Sequence, residues 1–200
     1  MNTVKKGNDF EDLIFRYITT ELSGDRLHVS NKRSFAYQKK GYFSKDRQSE
    51  IITDISIETF LPEAIDYSLL TVIECKDYNS SIPVSDIEEF HSKVQQIAGD
   101  NVKAIFATSA ALQSAALNYS KSKKIAVIRY LPAEQIKIKW ELSFSTSATD
   151  SRQEKLKQSE FNSAFLNQGH ESSGRSFYAC DNEYIYPSLL SILKEYLNEK

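Results

Sequence analysis

LLTVIECK, Leu69 to Lys76, is a nearly unbroken apolar run of strand length that turns polar only at its end. Such a run is the signature of a central strand covered on both faces. Alternation along it puts Glu74 and Lys76 on one face and sends Cys75 to the other. Upstream, EIITDISIETF (Glu50 to Phe60) alternates, with Ile51, Ile55 and Ile57 facing one way and Asp54, Ser56 and Glu58 the other. That pattern predicts a single strand, and Leu61 to Tyr67, with Pro62 and Asp66, interrupts it before LLTVIECK begins. Antiparallel pairing of the two strands brings Asp54 beside Glu74 only in one register.

Working outward, Phe10, Leu13, Ile14, Tyr17, Ile18 and Leu22 recur at helical spacing, so Asn8 to Leu22 reads as an amphipathic helix stopped by Gly24. Ile87, Phe90, Val94, Ile97 and Ala98 mark a second helix from near Ser85 to Gly99. VKAIFA (Val102 to Ala107) is a short strand, Ser109 is positioned to cap a helix over Ala110 to Lys121, and IAVIRY (Ile125 to Tyr130) is a further strand. This alternation implies right-handed crossovers and an α/β fold, a mixed sheet flanked by helices. The expected division is a main domain over residues 1–142 and a helical C-terminal extension over 143–200. The extension contains a charged helix from Asp150 to Asn167, stopped by Gly169, and an amphipathic one from about Pro187 to Asn198 with Leu189, Leu190, Leu193 and Leu197.

Composition removes several classes of function. No window reaches the roughly 18 apolar residues of a membrane span, and Met1 to Asp12 lacks the apolar core of a signal peptide, so a cytoplasmic protein without membrane partners is expected. Cys75 and Cys180 have no metal-ligand spacing and suggest neither a disulfide framework nor structural zinc. Net charge −2 argues against wholesale coating of nucleic acid. Locally, however, Lys32, Arg33, Lys39, Lys40, Lys45 and Arg47 are interleaved with Phe35, Tyr37, Tyr42 and Phe43, which reads either as a track for a phosphate backbone or as an edge hairpin protected by cations.

The chemistry lies at the end of LLTVIECK. Two carboxylates side by side, Asp54 and Glu74, suit Mg²⁺, which keeps several waters and takes further ligands from phosphate. Lys76 is then placed to orient or deprotonate a metal-ligated water and to offset charge on the phosphate. ECK is the only acidic-x-Lys triplet in the chain. Its weight comes from its setting, since composition alone yields about two such triplets. The ordinary alternative is a strand-end ion pair worth under about 1 kcal/mol. Glu50 is the fallback for Asp54. Cys75 reads as a core residue, Thr108 and Ser109 as capping residues, and His91 as a surface residue on the same side of its helix as Gln95.

GNDFEDLIFRYI, EIITDISIE, LLTVIECKDY and EEFHSKVQQIAGDNVKAIFATSAALQSAALNYSKSKKIAVIRY together resemble the PD-(D/E)xK nuclease superfamily, and more closely its Mrr-like restriction endonuclease branch. The resemblance covers about residues 7–130. It implies a restriction-endonuclease-like fold, cleavage of DNA phosphodiester bonds and a role in restriction or antiphage defence. It also implies Mg²⁺, with Mn²⁺ able to substitute. By the same resemblance Asp54 and Glu74 are metal ligands, Lys76 the catalytic lysine, Glu11 an auxiliary acid and Gln95 a site neighbour. Thr53 stands where the motif often has proline. Two other readings share the fold: a nucleic-acid-binding or assembly module that no longer cleaves, and a junction resolvase, which requires a homodimer. Residues 143–200 lie outside the resemblance and are a candidate surface for dimerisation, a further domain or a partner protein.

Overall fold

In the computed structural model, residues 3–27, 29–97, 101–131, 159–172, 177–181, 185–186 and 189–197 are described. The N-terminal half comprises α1 (Thr3–Ser23), β1 (Ser34–Gln38), β2 (Gly41–Ser44), β3 (Ser49–Ile52), β4 (Ile55–Thr59) and β5 (Leu69–Lys76). Then follow α2 (Val84–Ile97), β6 (Val102–Thr108), α3 (Ser114–Ser122) and β7 (Ala126–Tyr130). The last described elements are α4 (159–166), β8 (Phe177–Cys180), β9 (Ile185–Tyr186) and α5 (Leu189–Tyr196).

β5 is interior to a seven-stranded sheet of order β1-β4-β5-β6-β7-β8-β9. It pairs antiparallel with β4 and parallel with β6, and β7 joins β6 parallel. The sheet is therefore mixed, with β5, β6 and β7 ending at the same side. Two apolar layers cover it. Leu70, Val72, Phe106 and Val127 face α2, α3 and α4. Ile55, Ile57, Ile73, Ile105 and Ile128 face α1 and α5. Each fully buried aliphatic side chain contributes about 1.5–3 kcal/mol, and β5 supplies both layers, so its near-continuous apolarity is explained.

The expected single strand over Glu50 to Phe60 is divided. β4 lies in the main sheet, pairing with β1, whereas β3 pairs with β2 in a separate two-stranded sheet. The register passes through the break unchanged, from Gln38 opposite Ile55 to Gly41 opposite Ile52. Together these strands form one long hairpin, kinked at Lys39 and Lys40 on one arm and at Thr53 and Asp54 on the other. Lys39 adopts a left-handed φ of 53°. The arms remain tied across the kink by Lys39 N–H to the Asp54 carbonyl at 2.9 Å and by Thr53 N–H to the Lys40 carbonyl at 3.0 Å. Ser56 and Glu58, expected on the polar face of a strand, are buried and meet the Tyr42 hydroxyl at 2.8 and 2.9 Å.

Two further expectations shift. The helix expected from Ala110 begins at Ser114, because Leu112 forms a bridge to Ile82 and Ala111 N–H bonds the Gln168 side chain at 2.9 Å. Ser109 consequently caps no helix and donates to Asp77. Within the C-terminal segment, expected to be helical, β8 and β9 extend the sheet, α4 supplies Phe161, Ala164 and Phe165 to one layer, and α5 supplies Leu189, Ile192, Leu193 and Leu197 to the other. Of the helix expected over Asp150 to Asn167, the part before residue 159 lies outside the described residues, as do residues 132–158 as a whole. Among the described residues no helix is long and apolar enough to cross a membrane.

Candidate active site

Side chains converge where the hairpin kink meets the end of β5. The β4–β5 pairing runs from Thr59 opposite Leu69 to Ile55 opposite Ile73. Continued by one residue, it sets Asp54 opposite Glu74, the register that the paired-carboxylate reading required. Asp54 also accepts the Cys75 N–H at 2.8 Å on its Oδ2. Ending β4 at the kink frees the Asp54 side chain to make this bond.

Glu74 is buried, at 5% exposure, and its Oε1 takes two ammonium groups: Lys76 Nζ at 2.9 Å and Lys93 Nζ, from α2, at 3.3 Å. Glu11 projects from the buried stripe of α1 at 4% exposure. Its Oε1 accepts from Gln38 Nε2 at 3.0 Å, while Lys39 Nζ bridges its Oε2 and Asp54 Oδ1, the latter at 2.7 Å. Five elements or kinks thus supply one cluster of three carboxylates and three lysines. Asp54, Glu74, Lys76 and Glu11 are brought together.

Electrostatics follow from this packing. Burial pulls Lys76 down, but the adjacent Glu74 outweighs it and raises the pKa, so the side chain is an ammonium at neutral pH. Lys93 behaves likewise through Glu74 and Glu89, and Lys39 through Asp54 and Glu11. Burial, reinforced by Asp54, Glu11 and Glu74, pushes the Cys75 thiol well up. A thiol so disposed is a packing group rather than a nucleophile.

Gln95 is not brought to the cluster. At 100° per residue the apolar stripe of α2 has two margins. One carries Lys93 and Gln96; Gln96 Oε1 accepts from Arg47 Nε at 2.7 Å. The other carries Gln95 and His91, and His91 Nδ1 lies 3.3 Å from the Tyr119 hydroxyl of α3. Gln95 is exposed on that second margin. Glu50 is also outside the cluster, exposed on β3 with its carboxylate over Gly41.

The basic stretch is divided too. Lys32, Arg33, Lys45 and Arg47 are exposed. Lys39 is committed to Glu11 and Asp54, and Lys40 to Glu58 at 2.6 Å, with its ammonium 3.8 Å from the centre of the Tyr37 ring. Sequence reading did not single out Lys93 as a site residue. The available signal was its place beside the apolar stripe, one helical turn after Glu89, with which it pairs at 3.1 Å.

Residues 6–131 match the model of the Mrr catalytic-domain family, described as restriction endonuclease. The chain belongs to this restriction endonuclease family. Comparison with curated proteins returns no match, and neither does comparison with solved structures. The Mrr-type match runs from within α1 past the end of β7 and so contains every member of the cluster. Membership makes the chain a restriction-endonuclease-like nuclease. Among the described residues no group of three or more His, Cys, Asp or Glu side chains is arranged to hold a metal ion by itself. The Mrr-type cluster offers instead two hard carboxylates at adjoining positions of β5 and the β4 end, Glu74 and Asp54, a donor pair that fits a cation that retains waters and shares phosphate oxygens.

Proposed function

We propose that the chain is a Mg²⁺-dependent endonuclease that hydrolyses phosphodiester bonds of DNA, acting in restriction or antiphage defence. What supports this reading is the β4–β5 register, which continued by one residue sets Asp54 opposite Glu74, with Lys76 at 2.9 Å from Glu74 Oε1. Asp54 and Glu74 would hold the cation, with Mn²⁺ an acceptable substitute. When bound, it supplies charge neutralisation at the phosphate and an acidified water. The Lys76 ammonium orients the attacking water and offsets charge that develops on the phosphate. The Cys75 N–H fixes one oxygen of Asp54, and the Lys39 ammonium, shared with Glu11, holds the other until the cation displaces it. Lys32, Arg33, Lys45 and Arg47 are proposed as backbone contacts.

The test is cleavage of duplex DNA in Mg²⁺ and in chelator by the wild type, Glu74→Gln and Lys76→Met. The wild type cleaves only with the cation, and each variant loses at least about a hundredfold in rate while unfolding at a temperature close to wild type. Wild-type rates from either folded variant would refute the assignment. DNA binding without any cation-dependent cleavage would favour the non-cleaving module instead.

A further inference from the structure

The cluster is electrically divided. At the Asp54 end, the carboxylates of Glu11 and Asp54 face the single ammonium of Lys39, and Asp12 adds its carboxylate through Gln38 Nε2 at 2.7 Å. At the Glu74 end the balance is reversed, with the ammonium groups of Lys76 and Lys93 sharing one oxygen of one carboxylate. Arg47 adds a further cation to that side, held against the same helix by Gln96. Among the described residues Glu89 is the one acid paired with Lys93 besides Glu74, and at 65% side-chain exposure its charge is largely screened by solvent.

A cation and an anion brought to this cluster therefore have different preferred seats. The cation is drawn to the acidic Asp54 side of the Asp54–Glu74 pair, the phosphate to the side of Lys76 and Lys93. Lys76 reaches the phosphate seat from the strand and Lys93 from the helix, with a side chain only 21% exposed and therefore held against the cluster rather than extended into solvent. We propose that Lys93 is a second phosphate-contacting lysine, which leaves Glu74 for a backbone phosphate of the nucleic-acid strand and fixes that strand against α2. This rests on the nuclease reading and extends it to a residue outside the acidic-x-Lys motif. The contact is made on binding and retained through hydrolysis, so its main effect is on affinity rather than on the chemical step.

The experiment uses the full chain and a duplex oligonucleotide of roughly 20 base pairs, the length of about two helical turns. Affinity is read by fluorescence anisotropy across a salt series, and steady-state cleavage in Mg²⁺ is measured in parallel. Lys93→Met is expected to weaken binding, to reduce the slope of log Kd against log salt by about one, and to raise KM by a larger factor than it lowers kcat. Lys93→Arg restores the slope, and Glu89→Gln, which releases Lys93 from its exposed partner, binds at least as tightly as wild type. If Lys93 serves only to pin α2 to Glu74, Lys93→Met will unfold at lower temperature with slope and KM unchanged, and the proposal falls. A wild type that neither binds nor cleaves the duplex overturns the nuclease reading and this inference together. A wild type that does both, with Lys93→Met indistinguishable from it, overturns the inference alone.

Discussion

Both carboxylate oxygens of Asp54 are engaged within the chain, Oδ1 by the Lys39 ammonium and Oδ2 by the Cys75 N–H. A divalent cation at Asp54 therefore competes with Lys39, a tethered monovalent one. Lys39→Met should bind Mn²⁺ more tightly than wild type by calorimetric titration. Without metal it should lose about 1–3 kcal/mol of stability, because buried Glu11 is left without its ammonium partner. Its raised pKa sets the sign of the pH dependence. The contribution is complete below the unfolded lysine value and is lost only as pH rises through the higher folded one, so the stability gap should stay constant between about pH 6 and 9. Equal Mn²⁺ affinity in the two proteins would contradict the competition. Glu74 and Lys76 were legible from strand alternation, because a period of two leaves no choice of face once the strand is recognised. Lys93 was not, because the stripe of α2 has two margins and nothing local says which one borders β5.

At the scale of elements, β5, α1, α2, β6 and β7 were legible from periodicity, and the kinked hairpin was not. Its register is continuous through the kink, so alternation from Ile51 to Ile57 persists and conceals that the chain changes sheets at Thr53 and Asp54. α4 was legible as a helix, but its docking depends on a buried arginine that no pattern announces. The Arg129 guanidinium, on β7, is fully buried and donates to the Ala164 carbonyl and to the Asn167 carbonyl at 2.8 Å, closing the end of α4. Burial without a carboxylate pulls its pKa down to about 10. Arg129→Met should destabilise by on the order of 3 kcal/mol by leaving these carbonyls unmet, and Arg129→Lys should not recover the loss, since one ammonium cannot reproduce the planar fork. Urea unfolding measures the loss, and hydrogen exchange should show α4 opening first. Uniform loss of protection across the sheet would contradict a role confined to α4.

For the whole molecule, the family match stops at residue 131, but the two cores continue. β8 covers the edge of β7, and α5 fills the layer shared with α1, so the leucine stripe of the last helix is satisfied within the chain. A chain ending at residue 142 should therefore expose both layers and an unpaired β7 edge, and should aggregate or fail to unfold cooperatively; a monomer with wild-type stability would contradict this. The cluster depends on that completed frame, since Glu11, Asp54, Glu74 and Lys93 come from α1, the hairpin kink, β5 and α2. Whether Asp54 and Glu74 share one cation is tested most directly by a crystal of the full chain soaked in Mn²⁺ and read by anomalous scattering. The predicted result is one ion within roughly 2–2.3 Å of an oxygen of each carboxylate, with Lys39 withdrawn from Asp54. An ion bound elsewhere, or Lys39 still seated on Asp54 at saturating Mn²⁺, would contradict it.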